Sequence, residues 1–503
     1  MADPQSQRRY SAPCPGCGAP VDFASAQSTH AVCAYCHSSV VRQADQLARL
    51  GRIADEFTDY SPLKLRDSGQ WDGRSFNLVG RLQYSYDGAR WTDWQVAFTD
   101  GSLASLSEDN GAFVFSKPVA TPPNLPAFAN WRLNQTSQIG GRRFTVTQVQ
   151  KVALIAAAGE LGHLPSTDNT FGLVELRSDD GGVCSIEFAS EPPKVWVGEA
   201  VELASLGLGG SAPAPRRKDE ARHFNCPQCG ARLDIQLTTT QSLSCPSCDS
   251  VIDVSNGIGG ELRHAIQSEP VRPVIPLGSV GSFGGVAWQA VGFQHRTGKV
   301  AGEDEWFGWT EYLLYNAKLG FVFLVDSTEG WSWVKTVTGA PTMGVLNMYA
   351  TYKGQKYAHK EQYPSRTQYV AGEFYWRVRR GEEVNVHEFR RGLETLTSEK
   401  TGDEVTWSLG KSITSEAVGK AFGLTSDKAF QAHIDTTPSN LSSVLKTFGN
   451  RLQVLLVVFI VIIWLLSEFV WDDCDPKTEN CQSSSYRTSG GSFGGSSSGG
   501  WHK

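Results

Sequence analysis

Apolar and polar residues alternate along Phe76-Asn77-Leu78-Val79-Gly80-Arg81-Leu82-Gln83-Tyr84, the two-residue period of a half-buried strand. Tyr86-Asp87-Gly88 then reads as a turn. A second strand follows in Trp94-Gln95-Val96-Ala97-Phe98, and Asp100-Gly101 beyond it is hairpin chemistry. The same pattern returns in Tyr312-Leu313-Leu314-Tyr315 and Gly320-Phe321-Val322-Phe323-Leu324-Val325, which bracket Asn316-Ala317-Lys318. Gly182-Val183-Cys184-Ser185-Ile186-Glu187-Phe188 is another alternating run. These runs predict a mainly β chain. One stretch departs from them. Val454 to Leu466 contains no polar residue, and the whole span Leu452 to Val470 would make a helix about 29 Å long, enough for a bilayer core. A single transmembrane helix is expected over 452–470. The following tail, 471–503, is Ser/Gly-rich and expected to be disordered.

The strand pattern is duplicated. Cys14, Cys17, Cys33 and Cys36 recur 212 residues later as Cys226, Cys229, Cys245 and Cys248. At the same offset Gly73, Phe76 and Gly80 become Gly285, Trp288 and Gly292. After a six-residue insertion Trp91-Thr92-Asp93-Trp94 matches Trp309-Thr310-Glu311-Tyr312. Farther on, Gly141 and Phe144 match Gly354 and Tyr357, and Gly159-Glu160-Leu161 matches Gly372-Glu373-Phe374. The chain is therefore a tandem duplication of a small cysteine module plus a β-rich domain. The expected segments are a ribbon at 12–40, a β-rich domain at 61–206, a Gly/Pro/Ala-rich linker at 207–222, a second ribbon at 223–255 and a second β-rich domain at 273–425.

The cysteines carry the clearest chemistry. Eight of the 11 sit in four Cys-x-x-Cys pairs, a spacing that reads as metal binding rather than a disulfide framework. Two short turns supplying two thiolates each suit tetrahedral zinc, so two Zn²⁺ ions per chain are expected. Gly18 and Gly230 follow the second cysteine of each first turn, where a left-handed bend can aim backbone N–H groups at sulfur. A redox dithiol and a rubredoxin-type iron site are the competing readings, and the latter wants pairs farther apart. His37 follows Cys36, but Asp249 takes its place in the second copy, so it is read as a bystander. Cys184 has no cysteine partner nearby and reads as a small buried hydrophobe.

Charge narrows the function. Net charge is -6 and the pI about 6.0, without the overall basic footprint of a nucleic-acid binder. Pro13 to Val40 holds no Lys or Arg. The second ribbon has Arg222 and Arg232, with Arg216, Arg217 and Lys218 just upstream. Phosphate binding through this basic cluster is the one nucleic-acid reading; protein contact or bracing is preferred. No His-Glu-x-x-His, Gly-x-Ser-x-Gly or phosphate-loop motif occurs, and Gly281-Ser282-Phe283-Gly284-Gly285 lacks the Lys-Ser/Thr of a phosphate loop. His359, His387 and Glu388 belong to the second copy only. The matched acids Glu160/Glu373 and Asp93/Glu311 are read as structural. Convergence of Glu373, His359 and Glu311 in one cleft would instead favour an enzyme.

Residues Pro276 to about Leu424 resemble a bacterial domain-of-unknown-function family, number 4178. The resemblance rests on Trp309-Thr310-Glu311-Tyr312-Leu313-Leu314-Tyr315, on Tyr369-Val370-Ala371-Gly372-Glu373-Phe374-Tyr375-Trp376 and on Glu404-Val405-Thr406-Trp407-Ser408-Leu409-Gly410. Ser61 to about Leu206 looks like a more divergent copy, through Trp71-Asp72-Gly73-Arg74-Ser75-Phe76 and Leu106-Ser107-Glu108-Asp109-Asn110-Gly111; its second half lacks the Trp-Ser-Leu-Gly stretch. The family has no established reaction. Members are often encoded beside polyamine-synthase-like enzymes and small membrane proteins, which implies an accessory role at the bacterial envelope.

The expected protein is a zinc-binding adaptor or ligand-binding protein, without an assigned reaction, held at the bacterial inner membrane. Met1 to Tyr10 is polar with no signal-like apolar run after it, and eight thiolates want a reducing compartment, so the ribbons and β-rich domains are expected to face the cytoplasm. Lys446 and Arg451 precede the apolar span, which places the tail outside, where Cys474 and Cys481 are expected to form a disulfide.

Overall fold

The computed structural model describes residues 10–430 except 24, 26, 44–45, 53–60, 87–88, 110–111, 166–168, 209–221, 238–239, 255–262, 266, 268–270, 301–304, 379–380 and 426–429. The apolar span 452–470, the tail with Cys474 and Cys481, the Asp87-Gly88 turn and most of the linker lie outside the described residues. Among the described residues, no helix is long and apolar enough to cross a membrane.

The chain is mainly β, as the alternation predicts. Each β-rich domain is an antiparallel meander that closes on itself. In the first copy Arg74–Tyr86, Ala89–Phe98, Leu103–Asp109 and Ala112–Val119 pair in sequence. Ala112–Val119 then pairs with the last strand, Lys194–Val201. From there the order runs back through Gly182–Glu187 and Phe171–Arg177 to the long strand Arg142–Leu161. The second half of that long strand pairs with Arg74–Tyr86 and completes the ring. The second copy repeats every step. Val286–Gly298, Phe307–Asn316, Gly320–Ser327 and Gly330–Val337 lead to Glu404–Ile413, then to Glu394–Thr401, Glu383–Arg391 and the long strand Gln355–Phe374, which returns to Val286–Gly298.

The repeat landmarks fall on equivalent elements. Gly73 and Gly285 both turn a hairpin with positive φ, and Trp91 and Trp309 both lie on the strand that follows. Closure explains the glycine pairs. Gly80 is opposite Gly159, and Gly292 is opposite Gly372, each beside a register shift. A Cβ on Gly159 would come within 2.3 Å of Val79 O, and one on Gly372 within 2.2 Å of Val291 O. Both have positive φ, so side chains are barred there by space and by backbone.

Two of the hydrophobic clusters in each copy make up its main cores. Phe76, Leu78, Trp94, Leu106 and Phe115 form the first core of copy one, which Leu206 and Leu208 close. Phe144, Val174, Leu176, Cys184 and Ile186 form its second. Trp288, Phe293, Tyr312 and Trp331 correspond to the first in copy two, where the helix Ser415–Phe422 covers one side. That helix starts on the Thr414 hydroxyl, which accepts from Ala417 N, and stops at left-handed Gly423. The two copies are joined. Val149 N donates to Asp403 O at 3.1 Å, Lys353 N to Asp179 O at 2.8 Å and Ala340 N to Ser178 O at 3.1 Å. Leu133 packs against cores of both copies.

Candidate metal centres and the cavity between the copies

Each cysteine module folds around its own four sulfurs. Cys14 and Cys226 head tight turns in which Gly18 N and Gly230 N return to their carbonyls at 2.8 Å, made possible by φ of 78° and 75° at the two glycines. His37 and Asp249 take the matching place after the second pair, with φ of 56° and 54° and N–H groups bonded to Cys33 O and Cys245 O. Both positions serve the turn, which is why their side chains differ; Asp249 Oδ1 accepts from Tyr369 OH.

In both clusters, Cys14/Cys17/Cys33/Cys36 and Cys226/Cys229/Cys245/Cys248, all four Sγ atoms lie within 4.8 Å of one another. Cys14 Sγ is 3.7 Å from Cys36 Sγ and Cys17 Sγ 3.7 Å from Cys33 Sγ; the second cluster repeats both distances. A tetrahedron of sulfurs about 2.3 Å from a central ion has edges of about 3.8 Å, so the donors fit a tetrahedral metal ion. Ser38 and Ser250 reinforce the fit. The Ser38 hydroxyl, 3.2 Å from Cys36 Sγ, and its N–H bring that thiol down to about 6, and Ser250 does the same for Cys248 at 3.3 Å. Hydrogen-bond donors beside a sulfur favour the thiolate at these two positions, whereas in the same clusters burial pushes Cys245 up to about 12 and Cys17, which the Ala19 N–H lowers and the Cys36 sulfur raises, also stands at about 12.

The modules are built into the sheets of their domains. His30–Val32 pairs with Gly159–Leu161, the end of the first long strand; Ser242 and Leu243 pair with Phe374 and Glu373 at the end of the second. Beneath the first junction Val32 packs with Leu82, Leu154 and Leu161; beneath the second Leu237 and Val251 pack with Val291, Val370 and Phe374. The matched acids are the clamps. Glu373 accepts from Gln236 N at 2.8 Å, Leu237 N at 2.9 Å and Thr240 Oγ1 at 2.6 Å. Glu160 accepts from Ser25 N at 3.2 Å. Gln267 adds a clip in the second copy: its amide nitrogen donates to Asp249 O and Val370 O, and its oxygen accepts from Val370 N.

A cavity of about 2040 Å³ is lined by both copies, with Trp91, Glu175 and Arg177 from the first and Arg296, Trp309 and Glu311 from the second among its walls. Arg296 is buried there. Its Nη1 lies 3.2 Å from Glu311 and 2.6 Å from Glu399, and its Nη2 donates to Ser365 Oγ at 2.7 Å. Glu311 also accepts from Gln294 Nε2 and from the Trp309 indole N–H, each at 2.5 Å. The two carboxylates hold the guanidinium charged in spite of its burial. In the first copy Tyr84 stands where Arg296 would be, and Asp93 where Glu311 would be. Burial, countered by Ser107 and raised further by Glu175 and Glu187, leaves Asp93 with a pKa of about 7.

The residues that would carry a reaction do not converge. Glu373 clamps a ribbon and Glu311 holds Arg296. His359 is exposed, beside His387 at a ring separation of 4.8 Å, and neither His359 nor Glu373 lines the cavity that Glu311 faces. Arg216, Arg217 and Lys218 lie outside the described residues, and Arg232 pairs with Asp234 at 3.4 Å. Arg296, Glu399 and Gln267 were missed from sequence. The repeat hides Arg296, because its partner position is a tyrosine.

The family model of a domain of unknown function, DUF4178, matches residues 64–203 and 276–415. No curated protein and no solved structure matches the chain.

Proposed function

Because the chain belongs to the DUF4178 family, whose domain it carries twice and whose function is unknown, we propose its role from the geometry: a zinc-braced scaffold that binds a protein partner or small ligand and is tethered to a membrane. The observation that carries this reading is the insertion of each four-cysteine module into the sheet of its own domain. A structural zinc ion contributes about 10–16 kcal/mol to small sites of this kind. Coupled through backbone pairing and the Glu160 and Glu373 clamps, that energy fixes the end of each long strand. Those strands continue into the walls of the shared cavity, which is large enough for a small ligand. Zinc is preferred to a rubredoxin-type iron because the two Cys-x-x-Cys pairs of each site, with 15 residues between Cys17 and Cys33 and between Cys229 and Cys245, lie closer together than that family has them.

The tether is the apolar span Leu452 to Val470, with the folded domains on the cytoplasmic side of a bacterial inner membrane. The test compares proteins that co-purify from detergent-solubilised membranes with the wild-type chain and with Cys17→Ser/Cys229→Ser. A defined set present with wild type and lost with the double variant is expected. An identical set with both would contradict a zinc-braced binding role.

A further inference from the structure

The hairpin between Thr342–Met343 and Tyr349–Tyr352 ends in an apolar tip. Val345 is 75% exposed, Leu346 89% and Met348 67%, with Met343 also exposed. Scattered exposed apolar residues are ordinary, whereas several within six residues mark a contact surface. The backbone presents them deliberately. Leu346 and Asn347 have φ of 52° and 57°, a conformation that costs energy for a leucine and here leaves its side chain in water.

The first copy shows what such a turn does when it is covered. At the repeat offset its tip is Arg132-Leu133-Asn134, with Asn134 at φ 64°. There Leu133 packs against the cores of both copies. Leu346 has no such cover from the described chain.

Charge selects the occupant. Lys353 and Lys356 lie on the hairpin beside the tip, whereas Lys360 is paired with Glu329 and Glu388 and the Thr342 hydroxyl donates to Asp179 at the hairpin's foot. Lys356 and Lys353 are exposed, and the Lys356 ammonium sits 3.5 Å from the ring centroid of Tyr349 at the base of the tip. Apolar side chains projecting beyond an aromatic and two exposed lysines suit an anionic lipid interface. We propose that the Val345–Met348 tip of the second domain inserts into the headgroup region of an anionic bilayer. The proposal deepens the membrane-tether reading.

The test places the photo-crosslinking residue p-benzoylphenylalanine at Leu346, or at Leu50 as reference, in the full chain mixed with phosphatidylglycerol/phosphatidylethanolamine vesicles. Flotation is scored on the same samples. Lipid adducts several-fold more abundant at 346 than at 50, and reduced when phosphatidylcholine replaces phosphatidylglycerol, are expected. Protein–protein adducts at 346, or a lipid yield equal to that at 50, would overturn the insertion. A chain that floats without the adduct refutes the tip alone; one that fails to float refutes the tether, while the adduct yield still decides the tip. The triple variant Val345→Ser/Leu346→Ser/Met348→Ser, which removes no described core residue, should keep its thermal midpoint.

Discussion

The carboxylate of Glu373, at the end of the second long strand, accepts the backbone N–H of Leu237 in the second ribbon at 2.9 Å. Gln236 N and Thr240 Oγ1 share the same group. A buried carboxylate that satisfies two backbone donors and a hydroxyl holds a ribbon against a domain more firmly than apolar contact alone. Glu373→Ala would leave those donors unpaired and is expected to cost about 3 kcal/mol. Thermal unfolding checks the cost. Zinc release to a chelator should be faster from Glu373→Ala than from wild type, and an unchanged rate would separate the clamp from the metal site.

The glycines where the ring of strands closes should be intolerant of any side chain. Gly372→Ala and Gly159→Ala each place a Cβ within 2.3 Å of a backbone carbonyl at positive φ, and are expected to cost about 3 kcal/mol or more. Gly285→Ala has nothing within 4 Å and is expected to cost only about 1–2 kcal/mol. Midpoints for the three variants, measured under one condition, give the order.

Arg296→Met would leave the buried Glu311 without its cation, while the more exposed Glu399 can be solvated, and is expected to destabilise by about 3 kcal/mol. Adding Glu311→Gln should recover part of that loss. If the double variant is no more stable than Arg296→Met, the three groups do not act as one network.

Asp93 sets a pH dependence. Its folded pKa of about 7 lies above the ordinary 3.8, so between those values the folded chain binds the extra proton. Stability from this group is therefore greatest below about pH 4 and falls as pH rises toward 7. Acid also protonates the cysteine thiolates of the two clusters, so the comparison belongs between about pH 5.5 and 8 and against Asp93→Asn. The wild type should lose stability relative to the variant as pH rises; parallel curves would show that Asp93 is ionised throughout.

Much of this architecture was legible in the residues, and the exceptions share a cause. The four-cysteine clusters and the glycine hairpins are local patterns, so spacing alone located Cys14, Cys226, Gly73 and Gly285. The repeat identified Glu160 and Glu373 as structural but not as clamps, because the atoms they hold lie 133 to 137 residues away, with nearly the whole β-rich domain in between. The pairing of His30–Val32 with Gly159–Leu161 is equally non-local. Gln267 and Arg296 left no mark, since each occurs in one copy only. Cys184, read as a buried thiol, is fully enclosed, and burial followed by Glu175 raises it to about 12.

Two zinc ions per chain are expected on elemental analysis of protein purified without added metal, with Cys17→Ser and Cys229→Ser each removing about one. Stoichiometry near zero, or iron in place of zinc, would remove the basis for the brace.

Hydrogen exchange before and after chelation tests the brace itself. Zinc removal should abolish protection in the second ribbon and also at Tyr369 to Phe374, the end of the long strand that Leu243 and Glu373 join to it. Loss of protection in the ribbon with Tyr369 to Phe374 unchanged would contradict the account, because the metal would then hold only its own module.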